Sequence, residues 1–203
     1  MTTAAKPPTA AAAGLTADRP QAGSRTFPGW SWAAVALAFP VAGLIGRAAA
    51  GDVDAVGAAL IGGALTGAGL GLAQWLAARD MFGEWPVWVG ASAVGYGVGL
   101  AAGAALVGYD TGLGSLAAMG AVSGAMLGAA QGLALAAHGR QRLAVAWATA
   151  MPALFAIGWS VTTLGGIDVD RQFTVFGAYG AVVFALLSGL LLARFLPPRD
   201  SGS

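Results

Sequence analysis

The chain has 203 residues and a net charge of +1; 57% of its residues are hydrophobic and only 9% are charged. Soluble domains contain roughly 25% charged residues, so this chain has too little polar material to cover a water-exposed surface. The hydrophobic content equally excludes a disordered chain, and the charge balance offers no basic surface for nucleic acid. Because cysteine is absent, disulfides and thiol nucleophiles are excluded. The composition predicts an all-α polytopic membrane helical bundle.

Six apolar stretches are long enough to cross a bilayer, whose core of about 30 Å needs roughly 20 helical residues. The predicted spans are residues 30–50, 55–79, 85–108, 114–138, 143–165 and 173–195. Short turns that contain glycine or charged residues separate them. Consecutive helices are therefore expected to be antiparallel neighbours in one transmembrane domain over residues 29–198.

The two ends of the chain differ from the spans. Residues 1–28 are rich in Ala, Thr and Pro and lack the continuous apolar stretch of a secretory signal. They predict a disordered tail, either without a role or binding a partner, and residues 199–203 are a polar end. Eight of the ten Lys and Arg residues fall in the tail or on its side of the predicted bundle. By the positive-inside rule, both termini are expected to be cytoplasmic in the inner (plasma) membrane.

A repeat of 57 residues relates the even-numbered spans. Three glycines at four-residue spacing precede a glutamine in the second span, and the same pattern recurs in the fourth. The sixth span keeps small residues and replaces glutamine by serine. The corresponding residues are Gly63, Gly67, Gly71 and Gln74; Gly120, Gly124, Gly128 and Gln131; and Gly177, Ala181, Ala185 and Ser188. The spacing predicts three helical hairpins, 30–86, 87–143 and 144–200, around an axis along the bilayer normal.

Glycine at four-residue spacing forms a ridge on one face of a helix. In a membrane, where close packing rather than hydrophobicity drives helix association, such ridges let two backbones approach. We therefore expect the ridges to be helix-packing sites and the even-numbered helices to form an inner ring. Gln74 and Gln131 fall on the same faces. Each is expected to hydrogen-bond inside the bundle, with a substrate contact as the alternative.

No Asp, Glu, Lys or Arg falls in the middle third of any predicted span. Ionisable residues inside the membrane mark proton relays, ion sites and voltage sensors, so proton-coupled and cation-coupled transport are disfavoured. The serines of the spans have no neighbouring base that would activate a nucleophile. We expect no catalytic residue, no cofactor and no metal ligand, and therefore a protein that is not an enzyme.

Two polar features have both a structural and a functional interpretation. His138, at the end of the fourth span, is interpreted as a cap near helix-terminal carbonyls, with a catalytic base as the alternative. The pairs Asp52/Asp54 and Asp168/Asp170 are interpreted as solvated turn acids. The alternative is a Ca²⁺ site, but that ion takes roughly six to eight oxygen ligands.

The segment from Gly63 to Leu76 resembles the G-x-x-x-G-x-x-x-G-x-x-Q-W-L helix of small multi-span bacterial proteins of unassigned function. Its Ala and Gly usage is similar to that of actinobacterial proteins. Small accessory multi-span subunits of mycobacterial assemblies, such as Mce-type lipid importers, are broadly similar in style. The resemblance covers the even-numbered spans only, and Trp75 corresponds to Gly132 and Gly189. It implies an accessory subunit and carries over no catalytic residues.

The sequence favours a non-catalytic accessory or scaffold subunit that stabilises a larger inner-membrane complex, such as a transport complex, through small-residue helix packing. The expected partners are the lipid bilayer and other membrane-protein subunits. The alternative is a passive pore or facilitator for a small neutral or lipidic solute along the pseudo-threefold axis.

Overall fold

The structure, a computed structural model, describes Met1 and residues 29–166 and 174–195. Within these ranges it is helical, with α1 Gly29–Ala50, α2 Val56–Phe82, α3 Trp85–Leu106, α4 Leu113–Ala137, α5 Gln141–Leu164 and α6 Ala178–Ala193. Helices α1 to α5 are long and apolar enough to cross a membrane, which agrees with the predicted multi-pass membrane protein. The predicted tail, the pair Asp168/Asp170 and the polar end 199–203 lie outside the described residues, apart from Met1.

The helices form a single ring in chain order. Each packs against its neighbours in sequence, and α1 packs against α6 to close the ring. The short turns place consecutive helices antiparallel, so the ring has two ends of different charge. We call the end with Arg79, Arg140, Arg142 and Arg194 the basic end, and the end with Asp52, Asp54 and Asp110 the acidic end.

The expectation that α2, α4 and α6 form an inner ring is wrong for the described residues. The main contacts of each even-numbered helix are with the odd-numbered helices on either side. Small residues let adjacent helices approach closely around the ring, and large side chains from both sets of helices fill its centre. The buried rings that contact one another there are Trp32, Phe39, Phe82, Trp88, Tyr96, Trp147, Phe155, Trp159, Phe176 and Phe184.

Helix α6 is shorter than the predicted span 173–195. It has 16 residues, about 24 Å, against a bilayer core of about 30 Å. The described residues just before it, 174–177, are non-helical and buried. The Thr174 hydroxyl donates to the Gly43 carbonyl at 2.8 Å, and the Tyr96 hydroxyl donates to the Thr174 carbonyl at 2.7 Å. Non-helical backbone is tolerated at membrane depth only where protein surrounds it, and α1 and α3 supply these contacts.

Candidate functional site

The first glycine ridge packs α2 against α3. A Cβ atom on Gly63 would lie 3.0 Å from the Gly97 Cα, and one on Gly71 would lie 2.5 Å from the Ser92 Oγ. At Gly67, the middle member, a Cβ would overlap the Ser92 carbonyl oxygen. The ridge on α2 therefore comes closest to α3 at Gly67. The atom it meets there is a backbone carbonyl, which cannot rotate out of the way as a side chain can.

The second ridge packs α4 against α5 with the same geometry. A Cβ on Gly120 would lie 2.6 Å from the Trp159 Cδ1, and one on Gly128 would lie 2.7 Å from the Met151 Cβ. At Gly124, again the middle member, a Cβ would overlap the Met151 carbonyl oxygen. In both ridges, an even-numbered helix thus meets the odd-numbered helix that follows it in the chain.

The third set of predicted packing residues is arranged differently. Gly177 precedes α6 in an extended conformation, with φ −74° and ψ −173°, so it does not belong to a helical ridge. Ala181 and Ser188 are buried on α6. A close approach of α6 to α5 occurs instead at Gly180, where a Cβ would overlap the Gly158 carbonyl oxygen. This pair was missed because its two glycines fall outside the 57-residue register. The sequence did contain a signal for this pair, because a glycine inside an apolar helix usually has a packing reason.

Gln131 is the centre of a buried hydrogen-bond network that joins α2, α3, α4 and α5. Its Nε2 donates to the Gln74 Oε1 and to the Ser92 Oγ, both at 2.8 Å. Its Oε1 accepts from the Trp147 Nε1 at 2.7 Å. The Ser92 hydroxyl donates in turn to the Trp88 carbonyl at 2.8 Å. Both amide hydrogens of Gln131 are therefore used inside the chain.

A second, smaller network joins α1 to α6 at the position corresponding to the glutamines. The Trp32 Nε1 lies 3.1 Å from both the Ala185 carbonyl oxygen and the Ser188 Oγ. The Ser188 hydroxyl donates to the Phe184 carbonyl at 2.6 Å. The serine that replaces glutamine in the third unit thus also accepts from an indole of a neighbouring odd-numbered helix.

The buried polar side chains of the described residues are all uncharged. They are Thr66, Gln74, Ser92, Ser123, Gln131, Thr162, Thr174 and Ser188. Each of the eight takes part in a hydrogen bond within the chain. Two buried indole nitrogens, the Nε1 atoms of Trp88 and Trp159, have no hydrogen-bond partner. Apart from these two donors, the buried polar side chains of the described residues form hydrogen bonds within the chain.

Aromatic rings occupy the interior at the basic end and also closer to the middle of the helices. At the basic end, Phe82 stacks on Trp88 with ring centroids 4.0 Å apart. Closer to the acidic end, Phe39 stacks on Phe176 at 4.8 Å, and Phe155 meets Phe176 edge-on at 5.3 Å. These rings are fully buried and fill part of the described interior.

No group of three or more His, Asp or Glu side chains that could hold a metal ion occurs among the described residues. Asp52 belongs to an ion pair, with its Oδ1 2.7 Å from the Arg47 Nη2 at the acidic end. Asp54 is exposed. These contacts support the interpretation of Asp52 and Asp54 as turn acids.

His138 ties the end of α4 to the turn between α2 and α3. Its Nδ1 lies 3.1 Å from the Ala134 carbonyl oxygen, and its Nε2 accepts from the Glu84 backbone N–H at 3.3 Å. Next to it, the Trp75 Nε1 donates to the Gly83 carbonyl at 2.8 Å. These contacts favour the interpretation of His138 as a helix-terminal contact, because both ring nitrogens face backbone groups.

We expect Gly83→Ala to destabilise the protein by about 1–3 kcal/mol. Gly83 has a φ of +72°, and a Cβ there would overlap the His138 ring. Gly83→Ala in a His138→Ala background is the matched control, because it keeps the backbone strain of a φ of +72° and a ψ of −140° and removes the ring that the Cβ would meet. Thermal unfolding in detergent should show a smaller loss from Gly83→Ala in that background than in the unmodified chain. Equal losses would mean that backbone strain alone is responsible and that the His138 contact contributes nothing.

No family model matches the chain, and the comparisons with curated proteins and with solved structures find no match. The function is therefore inferred from the contacts described above.

Proposed function

We propose that the chain is a non-catalytic accessory or scaffold subunit of a larger membrane complex. The observation that carries this proposal is the described interior, in which all eight buried polar residues are hydrogen-bonded within the chain and none is charged. Such an interior favours helix packing over proton transfer or ion binding, which require ionisable groups inside the membrane. The two main glycine ridges are occupied by helices of the same chain, so a partner has to bind elsewhere.

Helix α1 is the element best suited to contact a partner. Six of its 22 residues are buried, a smaller share than in any of the other four long helices. Leu37, Val41 and Leu44 are 72%, 57% and 59% exposed, and their spacing places them on one face.

Site-specific photo-crosslinking in the native host tests the partner surface. We expect a photoreactive residue at Leu37 or Leu44 to give a protein adduct of one defined mass. The matched controls are Val94 on α3 and Val145 on α5, which are each 65% exposed. The same protein should co-purify with the unmodified chain in a fixed ratio. Adducts at all four positions would contradict the assignment of the partner surface to α1, and a chain that purifies alone would contradict the subunit proposal.

The alternative of a passive pore for a neutral or lipidic solute receives less support. The stacked pairs Phe82–Trp88 and Phe39–Phe176 are fully buried in the interior that such a pore would have to cross. Reconstituted protein that released a trapped neutral solute from vesicles would favour the pore over the subunit.

The 57-residue repeat is part of the same proposal. Its support is that two glycine ridges make equivalent contacts and that Gln74, Gln131 and Ser188 are all buried. Trp147 donates to Gln131 and Trp32 donates to Ser188, so an odd-numbered helix supplies an indole to the repeat position in two units. An experimental structure in which the three hairpins superpose about one axis is the expected outcome, and unrelated hairpins would contradict it.

We also propose that the basic end faces the cytoplasm of the inner membrane, as the positive-inside rule implies. Since the chain contains no cysteine, single cysteines report the orientation directly. Asp54→Cys should react with a membrane-impermeant maleimide added to spheroplasts, in which the outer face of the inner membrane is accessible. Glu84→Cys and Arg142→Cys should react only after the membrane is opened. The reverse labelling pattern would invert the proposed orientation.

A further inference from the structure

A groove with a volume of about 460 Å³ lies between α1 and α6 and is almost entirely apolar. Its α1 side includes Ala33 and Ala36, and its α6 side includes Ala185 and Gly189. The indole of Trp32 forms part of its floor. We call it the α1–α6 groove. The groove forms because several residues between α1 and α6 are Ala or Gly. Larger side chains at these positions would have filled the space between the two helices.

The floor of the groove is fixed by hydrogen bonds. Trp32 is 2% exposed, and its Nε1 lies 3.1 Å from the Ala185 carbonyl oxygen and from the Ser188 Oγ. A Cβ on Gly189 would lie 2.9 Å from the Trp32 Cδ1, so this glycine leaves space for the ring. The single N–H of the indole is thus shared between two acceptors on α6, which fixes the ring at the floor of the groove.

The groove is about one leaflet deep. Its lining on α6 runs from Val182 to Ala193, which corresponds to roughly 16 Å of helix, about half of the bilayer core. On α1 the lining runs only from Gly29 to Ala36, and behind the groove the buried rings of Phe39 and Phe184 meet with centroids 4.9 Å apart. A transmembrane helix of a partner would need a groove across the whole core. One lipid chain from one leaflet needs only this depth.

A positive charge lies at the open end. Arg194 directly follows Ala193, the last groove residue of α6, and is exposed at the basic end. Arginine binds phosphate oxygens through two parallel N–H donors, and basic pockets between membrane helices bind anionic lipid headgroups. We propose that the α1–α6 groove holds an acyl chain of an anionic phospholipid from the leaflet at the basic end, with its phosphate on Arg194.

A second groove on the other side of α1 is a poorer candidate. It lies between α1 and α2 at the same end and has a volume of about 280 Å³. The Ser31 hydroxyl donates to the Ala77 carbonyl at 3.0 Å between two of its lining residues, which ties α1 to α2. Both grooves contain a hydrogen bond between their two helices, but the α1–α6 groove is the larger one, at about 460 Å³ against about 280 Å³, and therefore has more room for an acyl chain.

Native mass spectrometry of the purified full chain tests this site with two defined lipids, dioleoyl phosphatidylglycerol and dioleoyl phosphatidylcholine. We expect one tightly bound phosphatidylglycerol per chain and weaker binding of phosphatidylcholine. Ala33→Phe should lower the phosphatidylglycerol-bound fraction, since the ring would enter the groove, and Ala36→Leu is a second, smaller obstruction. Ala129→Phe is the matched control, because Ala129 is exposed in the basic-end half of α4 and does not line the groove.

Arg194→Gln tests binding of the lipid headgroup separately from binding of the acyl chain. It should reduce the preference for phosphatidylglycerol by about fivefold, the effect of one basic residue near a membrane surface, while leaving phosphatidylcholine binding unchanged. Equal retention by the Ala33, Ala36 and Ala129 variants would overturn the proposal, as would equal binding of the two lipids by the unmodified chain. Increased lipid binding after deletion of residues 2–28 would assign the groove to that segment instead.

Discussion

Replacement of Gly124 by Ile is expected to lower the free energy of unfolding by about 3 kcal/mol, the upper end of the usual range for overpacking. A Cβ at this position overlaps the Met151 carbonyl oxygen, and Phe155 contributes a second contact at 2.9 Å. A side chain in the way can change rotamer, but a backbone carbonyl in a helix can move only with its helix. Gly67→Ile should have the same effect through the Ser92 carbonyl.

Each of these variants has a control on its own helix. Gly57 on α2 and Gly114 on α4 have no atom within 4 Å of their Cβ positions. Ile is a better helix former than Gly, so Gly57→Ile and Gly114→Ile should be neutral or slightly stabilising. The measurement is SDS-induced unfolding followed by circular dichroism, together with the yield of monodisperse protein. Similar losses at all four positions would mean that glycine itself, rather than the helix contact, matters.

The sequence predicted the helices well and their arrangement less well. Apolar length and polar turns placed the ends of most helices within a few residues, but α6 begins at Ala178 rather than at 173. The predicted start was too early because the segment with Thr174, Val175 and Phe176 has the hydropathy of a transmembrane helix. Hydropathy alone does not distinguish a buried extended segment from a buried helix. Only the tertiary contact with Gly43 shows that this backbone is satisfied outside a helix.

The packing pattern was likewise readable only in part. Small residues at four-residue spacing indicate that a helix face is closely packed, but they do not say which neighbour packs there. The prediction of an inner ring was therefore wrong. The prediction of close packing at the ridges was not, because the middle glycine of each ridge lies against the backbone of a neighbouring helix. For Gln74 and Gln131 the sequence carried a usable signal, since equal register in two units places both amides at one depth. Their direct bond and the indole of Trp147 follow from side-chain reach, which the pattern does not contain.

Gln131→Met is expected to destabilise the protein by about 2 kcal/mol, and Gln74→Met by about half as much. Hydrogen bonds between membrane helices contribute about 0.6 kcal/mol on average. Gln131 takes part in three such bonds, and Gln74 accepts one of them. Loss of Gln131 also leaves the Trp147 Nε1 and the Gln74 Oε1 buried without this partner, whereas loss of Gln74 affects one hydrogen of the Gln131 amide. Met is close to Gln in length, so the change in packing is small.

The double variant decides whether the two amides act as a pair. Once Gln131 is absent, the Gln74 carbonyl has lost its partner, so replacing Gln74 as well removes a buried acceptor rather than a bond. Gln74→Met/Gln131→Met should therefore be at least as stable as Gln131→Met alone, and the double-mutant cycle should give a coupling close to the whole effect of Gln74→Met. SDS unfolding of the four proteins measures this. Strictly additive losses would show that Gln74 and Gln131 stabilise the bundle through separate contacts, and the network that joins α2 to α4 would then have no energetic role.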